Sequence, residues 1–265
     1  MISRTGSDGV GALPTPSGDQ AQQQLPDLVY PVKGETEELR YSLRSVAENA
    51  RGLFGRVWLV GHRPEWATNV GHIDVAVPGG KSKDIPVKLR AVCTHPEVAP
   101  TFVLMNDDYY LLDPVERWEA WHMGAIADRI AFWRREGKGS VWLRMVEQTA
   151  AWVAEQGGSG LCWQGHRPLL WDKAKLLDVL DRYPEGRPLD VIGLFDLAGA
   201  DCGEPRRGFN TKVTSDPGMF HRKLAAFAGS PCPWLSSNDQ AFQTGMIGGF
   251  IRGVFRRPCE YEREV

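Results

Sequence analysis

The chain lacks a paired-cysteine motif, a bilayer-length apolar run and an excess of one charge sign. Its five cysteines, Cys93, Cys162, Cys202, Cys232 and Cys259, are scattered with no CxxC spacing. That argues against a disulfide framework and against a cysteine-ligated zinc site. No stretch approaches the roughly 20 apolar residues of a membrane helix, and no signal-peptide core is visible. A cytoplasmic protein with no membrane span is the expectation. Lys and Arg number 31 against 33 Asp and Glu, a formal charge of -2, so no global field for nucleic acid or membrane arises. His62, His72, His95, His122 and His221 share no metal-ligand spacing, and no internal repeat is present.

What is there suits a globular core: 265 residues, 42% hydrophobic and 24% charged. The ten tryptophans fit aromatic-rich packing as well as they fit sugar stacking. Residues 1–25, rich in Gly, Ser, Pro and Gln, read as a disordered tail, leaving 26–265 as one domain. Asp27–Val32 reads as a first strand, with Pro31 suggesting an edge or an irregular end. Leu39, Leu43, Val46 and Ala50 then recur at helical spacing up to Gly52. Arg56–Gly61 and Ile73–Val77 read as further strands. Strand, helix, strand predicts a parallel sheet with right-handed crossovers. Helices are expected over Ile85–His95, Trp118–Arg135, Val141–Gln156, Asp172–Tyr183 with Asp172 as N-cap, and Gly218–Ala228. Pro184–Pro217 reads as mostly loop.

The segment richest in chemistry is Phe102-Val103-Leu104-Met105-Asn106-Asp107-Asp108-Tyr109-Tyr110-Leu111-Leu112. An apolar run bounded by polar residues reads as a buried strand, and its carboxylates would emerge at the C-terminal end, where open α/β sheets place ligands. Adjacent aspartates repel, and a hard divalent cation with oxygen ligands relieves that repulsion while bridging a diphosphate. The same three residues also fit an Asx turn inside a hairpin.

Four other places carry candidate chemistry. Arg40 and Arg44 lie one helical turn apart and can grip phosphate oxygens, or can serve as surface ion-pair partners of Glu37 and Glu48. Lys81, Lys83, Lys88 and Arg90 form a basic run, in which Lys88 or Arg90 is a candidate for neutralising a leaving diphosphate; a solvated face is the other meaning. His166, between Gly165 and Arg167-Pro168, is an acid-base candidate or a surface imidazole. Asp239, beside Asn238, is a candidate ribose or metal contact or an ordinary turn residue.

Taken together, these segments resemble the Stealth-type sugar-phosphate transferases. Glu38-Leu39-Arg40-Tyr41-Ser42-Leu43-Arg44-Ser45-Val46 followed by Arg56-Val57-Trp58-Leu59-Val60 is similar to that family's second block, which continues to an Asn-Asp-Asp. Gly165-His166-Arg167-Pro168-Leu169-Leu170-Trp171 is similar to the third block, and Pro233 to Gln240 to the fourth. Lys33 stands where the first block carries an acid. Arg207 and Lys212 are the nearest candidates for the family's third-block arginine. The resemblance implies an α/β fold of the GT-A nucleotide-diphosphosugar type: a mostly parallel central sheet flanked by helices, with a helical C-terminal part completing the cleft. It implies Mg²⁺ or Mn²⁺ held by Asp107 and Asp108 on a nucleotide-diphosphosugar donor. Arg40, Arg44, Lys88, Arg90, Asn106 and Arg207 would bind donor phosphates, and His166, Asp108 and Asp239 would be catalytic. The implied activity is transfer of sugar 1-phosphate to an acceptor hydroxyl on a glycan, protein or nucleic acid. Glycosyl transfer with release of nucleoside diphosphate is the alternative, and a catalytically silent binding module is a third.

Overall fold

The structure, a computed structural model, describes residues 24–76, 81–137, 140–214, 216–228 and 232–263. Nearly all of the expected N-terminal tail, and the side chains of Lys81 and Lys83, lie outside the described residues. The order is β1 (Asp27–Val32), α1 (Glu37–Asn49), β2 (Val57–Gly61), β3 (Gly71–Ile73), α2 (Lys81–Thr94), β4 (Thr101–Leu104), β5 (Tyr109–Leu111) and β6 (Trp121–His122). Then follow α3 (Ile126–Arg135), α4 (Ser140–Glu155), β7 (Leu169–Asp172), α5 (Lys173–Arg182), a 3-10 turn (Val191–Leu194), α6 (Phe195–Ala198) and β8 (Arg206–Arg207). The chain closes with α7 (Pro217–Ala228), β9 (Trp234–Ser236), α8 (Asp239–Thr244) and α9 (Met246–Val254).

Five strands form the central sheet in the order β3-β2-β1-β4-β7. The first four are parallel and β7 runs antiparallel to β4, so the expected mixed α/β, mostly parallel sheet flanked by helices is present. The two-residue side-chain period sorts the core. Val29, Trp58, Val60, Phe102 and Leu104 pack on one face against Leu89 and Val92 of α2 and Leu176 and Val179 of α5. Leu28, Tyr30, Leu59 and Val103 pack on the other against Leu39, Leu43 and Val46 of α1. Burial on both faces explains why the strands read as continuous apolar runs.

Four expectations change. Pro31 sits in a central strand and not at the sheet edge, near the end where β4 no longer pairs, since β4 pairs with β1 only over Asp27–Val29. Pro31 is beyond that ladder, where a missing N–H costs nothing. The third strand is Gly71–Ile73 rather than a run from Ile73 onward. Trp118–Gly124 is not helical; Trp121–His122 pairs with β8, and Gly124 (φ 91°) reverses the chain before α3. Leu169–Asp172, between the His166 segment and the helix expected from Asp172, is a sheet strand, while Asp172 caps α5 by accepting from Lys175 N at 2.9 Å.

One buried acid gives the fold a pH signature. Asp190 caps the 3-10 turn, accepting from Gly193 N and the Gln164 amide, and burial pushes its carboxyl up to about 7. A folded-state value above the unfolded one favours the protonated form. Its contribution is therefore complete below about pH 4 and is lost as pH rises through about 7. Asp190→Asn should recover about 3–4 kcal/mol of stability at pH 8 relative to pH 4, read from denaturant midpoints at the two pH values. Glu38 and Asp108, raised to about 7 and about 6, titrate in the same window and will keep the remaining slope.

Candidate functional site

The Asn-Asp-Asp segment leaves the C-terminal end of β4 as a turn, with Tyr109 N donating to Asn106 O at 3.3 Å. It is no hairpin: β4 pairs with β1 and β7, and β5 pairs with β9. Helix α1 holds the turn. Ser42 Oγ donates to Tyr109 O at 2.6 Å, Leu111 N donates to Ser45 Oγ at 3.1 Å, and Thr36 Oγ1 donates to Asp107 Oδ2 at 3.0 Å. Glu38, Ser42 and Ser45 thus form a polar stripe along α1 at helical spacing. That stripe beside the apolar Leu39, Leu43 and Val46 is the available sequence signal for Glu38, which is not among the site candidates of the sequence.

Four acids meet here. Asp108 is buried, accepts from Lys212 Nζ at 3.3 Å through Oδ2, and leaves Oδ1 buried with no partner. Burial raises its carboxyl to about 6, against the attraction of Lys212 and with the repulsion of Asp107. Glu38 is buried and accepts from Ser237 Oγ at 2.7 Å, and Tyr110 OH lies 3.0 Å from Ser237 Oγ. Burial lifts Glu38 to about 7, and the charges of Asp108, Asp107 and Asp239 add to the rise. Asp239 is exposed in the first turn of α8, after the N-cap Asn238. None of the four lines the cleft of about 490 Å³ bounded by Asp113, Arg117, Glu119 and Arg206, so the site is defined by its charges.

His166 is within electrostatic reach of Lys212, the partner of Asp108, and has a left-handed backbone conformation (φ 53°). Thr211 fastens the loop, with its N–H donating to Gly165 O and its hydroxyl to His166 O. Burial pushes the imidazole down to about 3, with Lys212, Lys223 and Arg167 adding to the shift. Lys212 bridges to Ser236 of β9. The fold therefore brings together Asp107, Asp108, Glu38, Asp239, Lys212 and His166.

The remaining sequence candidates lie elsewhere or are already engaged. Arg40 and Arg44 both bind Glu262, Arg40 Nη1 at 3.0 Å and Arg44 Nε at 2.7 Å. Their guanidiniums also stack on Trp66 and Tyr41. Burial opposes the Glu262 charge, yet the hydrogen bonds from Arg44 and Arg40 hold its carboxyl below the ordinary range. The shared-face spacing was legible; the partner, 218 residues from Arg44, was not. Arg44→Ala should therefore cost about 2–3 kcal/mol of stability, less than the ~3–5 of a fully broken buried pair because Arg40 remains. Urea melts check this. Lys88 is buried at the end of β1, donating to Val32 O at 2.9 Å and Asp84 Oδ2 at 3.0 Å. Arg90 pairs with Asp181 of α5 on the surface. Arg207 is exposed on β8, near Gly124.

Among the described residues, no group of three or more His, Cys, Asp or Glu side chains is arranged to hold a metal ion. No helix among them is long and apolar enough to cross a membrane. No protein-family model matches the chain, and no curated protein matches it. Among solved structures, the chain is similar to the glycosyltransferase GlyE of Streptococcus pneumoniae, at 12% identity and a TM-score of 0.43. The match covers 88% of this chain and 61% of that one.

Proposed function

We propose that the acid cluster at the C-terminal end of β4 is the donor end of a transferase site, which takes a nucleotide-diphosphosugar and passes sugar 1-phosphate to an acceptor hydroxyl. The observation that carries the reading is Asp108: a buried carboxylate with one unpartnered oxygen, beside Asp107, at the end of a parallel strand. The residues fit a hard divalent cation. Mg²⁺ is commonly held by one or two carboxylates, with substrate phosphates completing the shell, so a site with fewer than three acidic ligands of its own is sufficient. Asp107 and Asp108 would hold Mg²⁺ or Mn²⁺, whose chemistry is to offset charge on the donor diphosphate.

The chain's own groups account for the rest. Lys212, already 3.3 Å from Asp108, supplies a positive charge to the departing phosphate. The acceptor oxygen attacks the sugar-linked phosphorus, the phosphorus–oxygen bond to the nucleoside monophosphate breaks, and that group leaves with the electron pair. His166, neutral at physiological pH, takes the hydroxyl proton. Glu38, fixed by Ser237, stands beside the carboxylates to hold the donor sugar or the acceptor hydroxyl by hydrogen bonding.

The test is incubation of the full chain with a panel of nucleotide-sugars and Mn²⁺, followed by identification of the nucleotide released. Nucleoside monophosphate is the expected product. Nucleoside diphosphate would place attack at the sugar carbon and make the chain a glycosyltransferase. Metal-dependent donor binding without turnover would make it a binding module.

A further inference from the structure

Beside the carboxylates the fold has built a second feature that the transfer reading leaves unused, a group of cations that make no carboxylate ion pair among the described residues. Arg167 is only 2% exposed. Its Nη1 donates to Phe209 O at 2.9 Å, and Cys232 Sγ lies 3.6 Å away. Its Nε and Nη2 are buried with no hydrogen-bond partner. Arg129 has an unpartnered buried Nε as well, and its guanidinium lies over Phe132 and Trp133. Lys223 is half-buried, donating to Asn210 O over the Phe209 ring. Burial lowers the Lys223 ammonium, and Arg129, Arg167 and Arg222 push it further. Among the described residues, none of Arg167, Arg129 and Lys223 is ion-paired to a carboxylate.

The sequence makes room for this arrangement. A Cβ on Gly165 would sit 2.4 Å from Arg167 Nη2, and one on Gly208 would sit 2.7 Å from Nη1. Neither glycine has a positive φ, so both are needed for the space the guanidinium occupies. A buried guanidinium without a carboxylate is costly, and an unsatisfied buried group of this kind calls for an explanation, a bound ion being one. Three neighbouring cations match a dianion better than a single carboxylate, and the arginine fork matches phosphate oxygens. Arg167 directly follows His166, the group placed at the acceptor hydroxyl.

We propose that Arg167, Arg129 and Lys223 form a phosphate-binding subsite for the acceptor, so that the acceptor class is one bearing a phosphomonoester near the reacting hydroxyl. The acceptor assignment rests on reading the carboxylates as the donor end; the anion site itself does not.

The test is calorimetric titration of the full chain with inorganic phosphate, without donor or metal. Saturable binding is expected, and R167M should weaken it about 10- to 100-fold, the value of one or two charge-assisted hydrogen bonds. K223M, at a half-buried position, should weaken it by a smaller factor and serves as the second variant should R167M fail to fold. Without phosphate, R167M should melt at or above the wild-type temperature, because an uncompensated buried charge has been removed. No saturable binding by the wild type, or unchanged affinity in both variants, would overturn the proposal, as would an R167M that melts well below the wild type while K223M binds phosphate normally. A second titration adds nucleotide-sugar and Mn²⁺. Independent binding of phosphate and donor supports the acceptor subsite, whereas mutual displacement would make these cations part of the donor site and overturn the assignment. A chain that binds phosphate through Arg167 but never binds donor would leave the anion site standing and remove the donor reading.

Discussion

Asp108→Asn is expected to abolish metal-dependent donor binding, with affinity falling on the order of 10²-fold or more, while the melting temperature holds or rises. The two halves of this expectation have one cause. In the folded chain Asp108 keeps a buried oxygen with no partner, and burial raises its carboxyl to about 6. Its negative charge is therefore a cost to the fold that a bound cation would recover. Asparagine keeps the shape and one acceptor for Lys212 but removes the charge that a divalent ion needs. The sign with pH follows. A folded-state value raised above the unfolded one means that deprotonation weakens the fold as pH rises through about 6, while the same deprotonation creates the metal ligand. Donor affinity should climb over that interval in the wild type and stay flat in the variant. Calorimetric titration with nucleotide-sugar and Mn²⁺ at pH 5 and pH 8 measures this, and wild-type affinity in Asp108→Asn would remove Asp108 from the site.

His166→Asn is expected to lower turnover by ~10²–10⁴-fold with donor affinity nearly unchanged. Asparagine is the appropriate replacement because the position has φ 53°, a left-handed conformation that Asn tolerates better than Ala. Burial, with Lys212, Lys223 and Arg167 beside it, holds the imidazole near 3, where it is neutral but a weak base. Phosphate bound among those cations would offset their charge and raise the imidazole part of the way back, while burial, the larger cause, keeps it depressed. The His166 resonance of the free protein should therefore show no titration between pH 5 and 8, and its low-pH midpoint should move upward when inorganic phosphate is added. For stability the depressed value runs the other way: the contribution is whole above about pH 6.5 and is lost as pH falls toward 3. Undiminished turnover in His166→Asn would leave the proton to Glu38 or to solvent.

Much of the fold could be read from local pattern. Apolar runs at Leu28–Tyr30, Val57–Val60 and Phe102–Leu104 became the parallel strands, and Leu39, Leu43 and Val46 became the buried face of α1. Asp172 capped the helix it was expected to cap. These signals survive because side-chain periodicity and capping are set within a few residues of chain. The expectations that changed depend on partners. Leu169–Asp172 is too short to announce itself as a strand and becomes one by pairing with β4. Trp118–Gly124 carries helix-compatible residues but is drawn into pairing with β8.

The candidate site divides in the same way. By itself the sequence determined that two adjacent carboxylates follow a buried strand, that a histidine sits in a Gly-His-Arg-Pro loop, and that Arg40 and Arg44 share a helix face. Only the tertiary structure decided where their charges go. It carried Glu262 to the two arginines, Lys212 to Asp108, Ser237 to Glu38, and Arg167 to a place between two glycines with no ion-pair partner among the described residues. The physical reason is that a charge acts over a few ångströms of space, and in a folded chain those few ångströms can separate residues 104 or 199 positions apart.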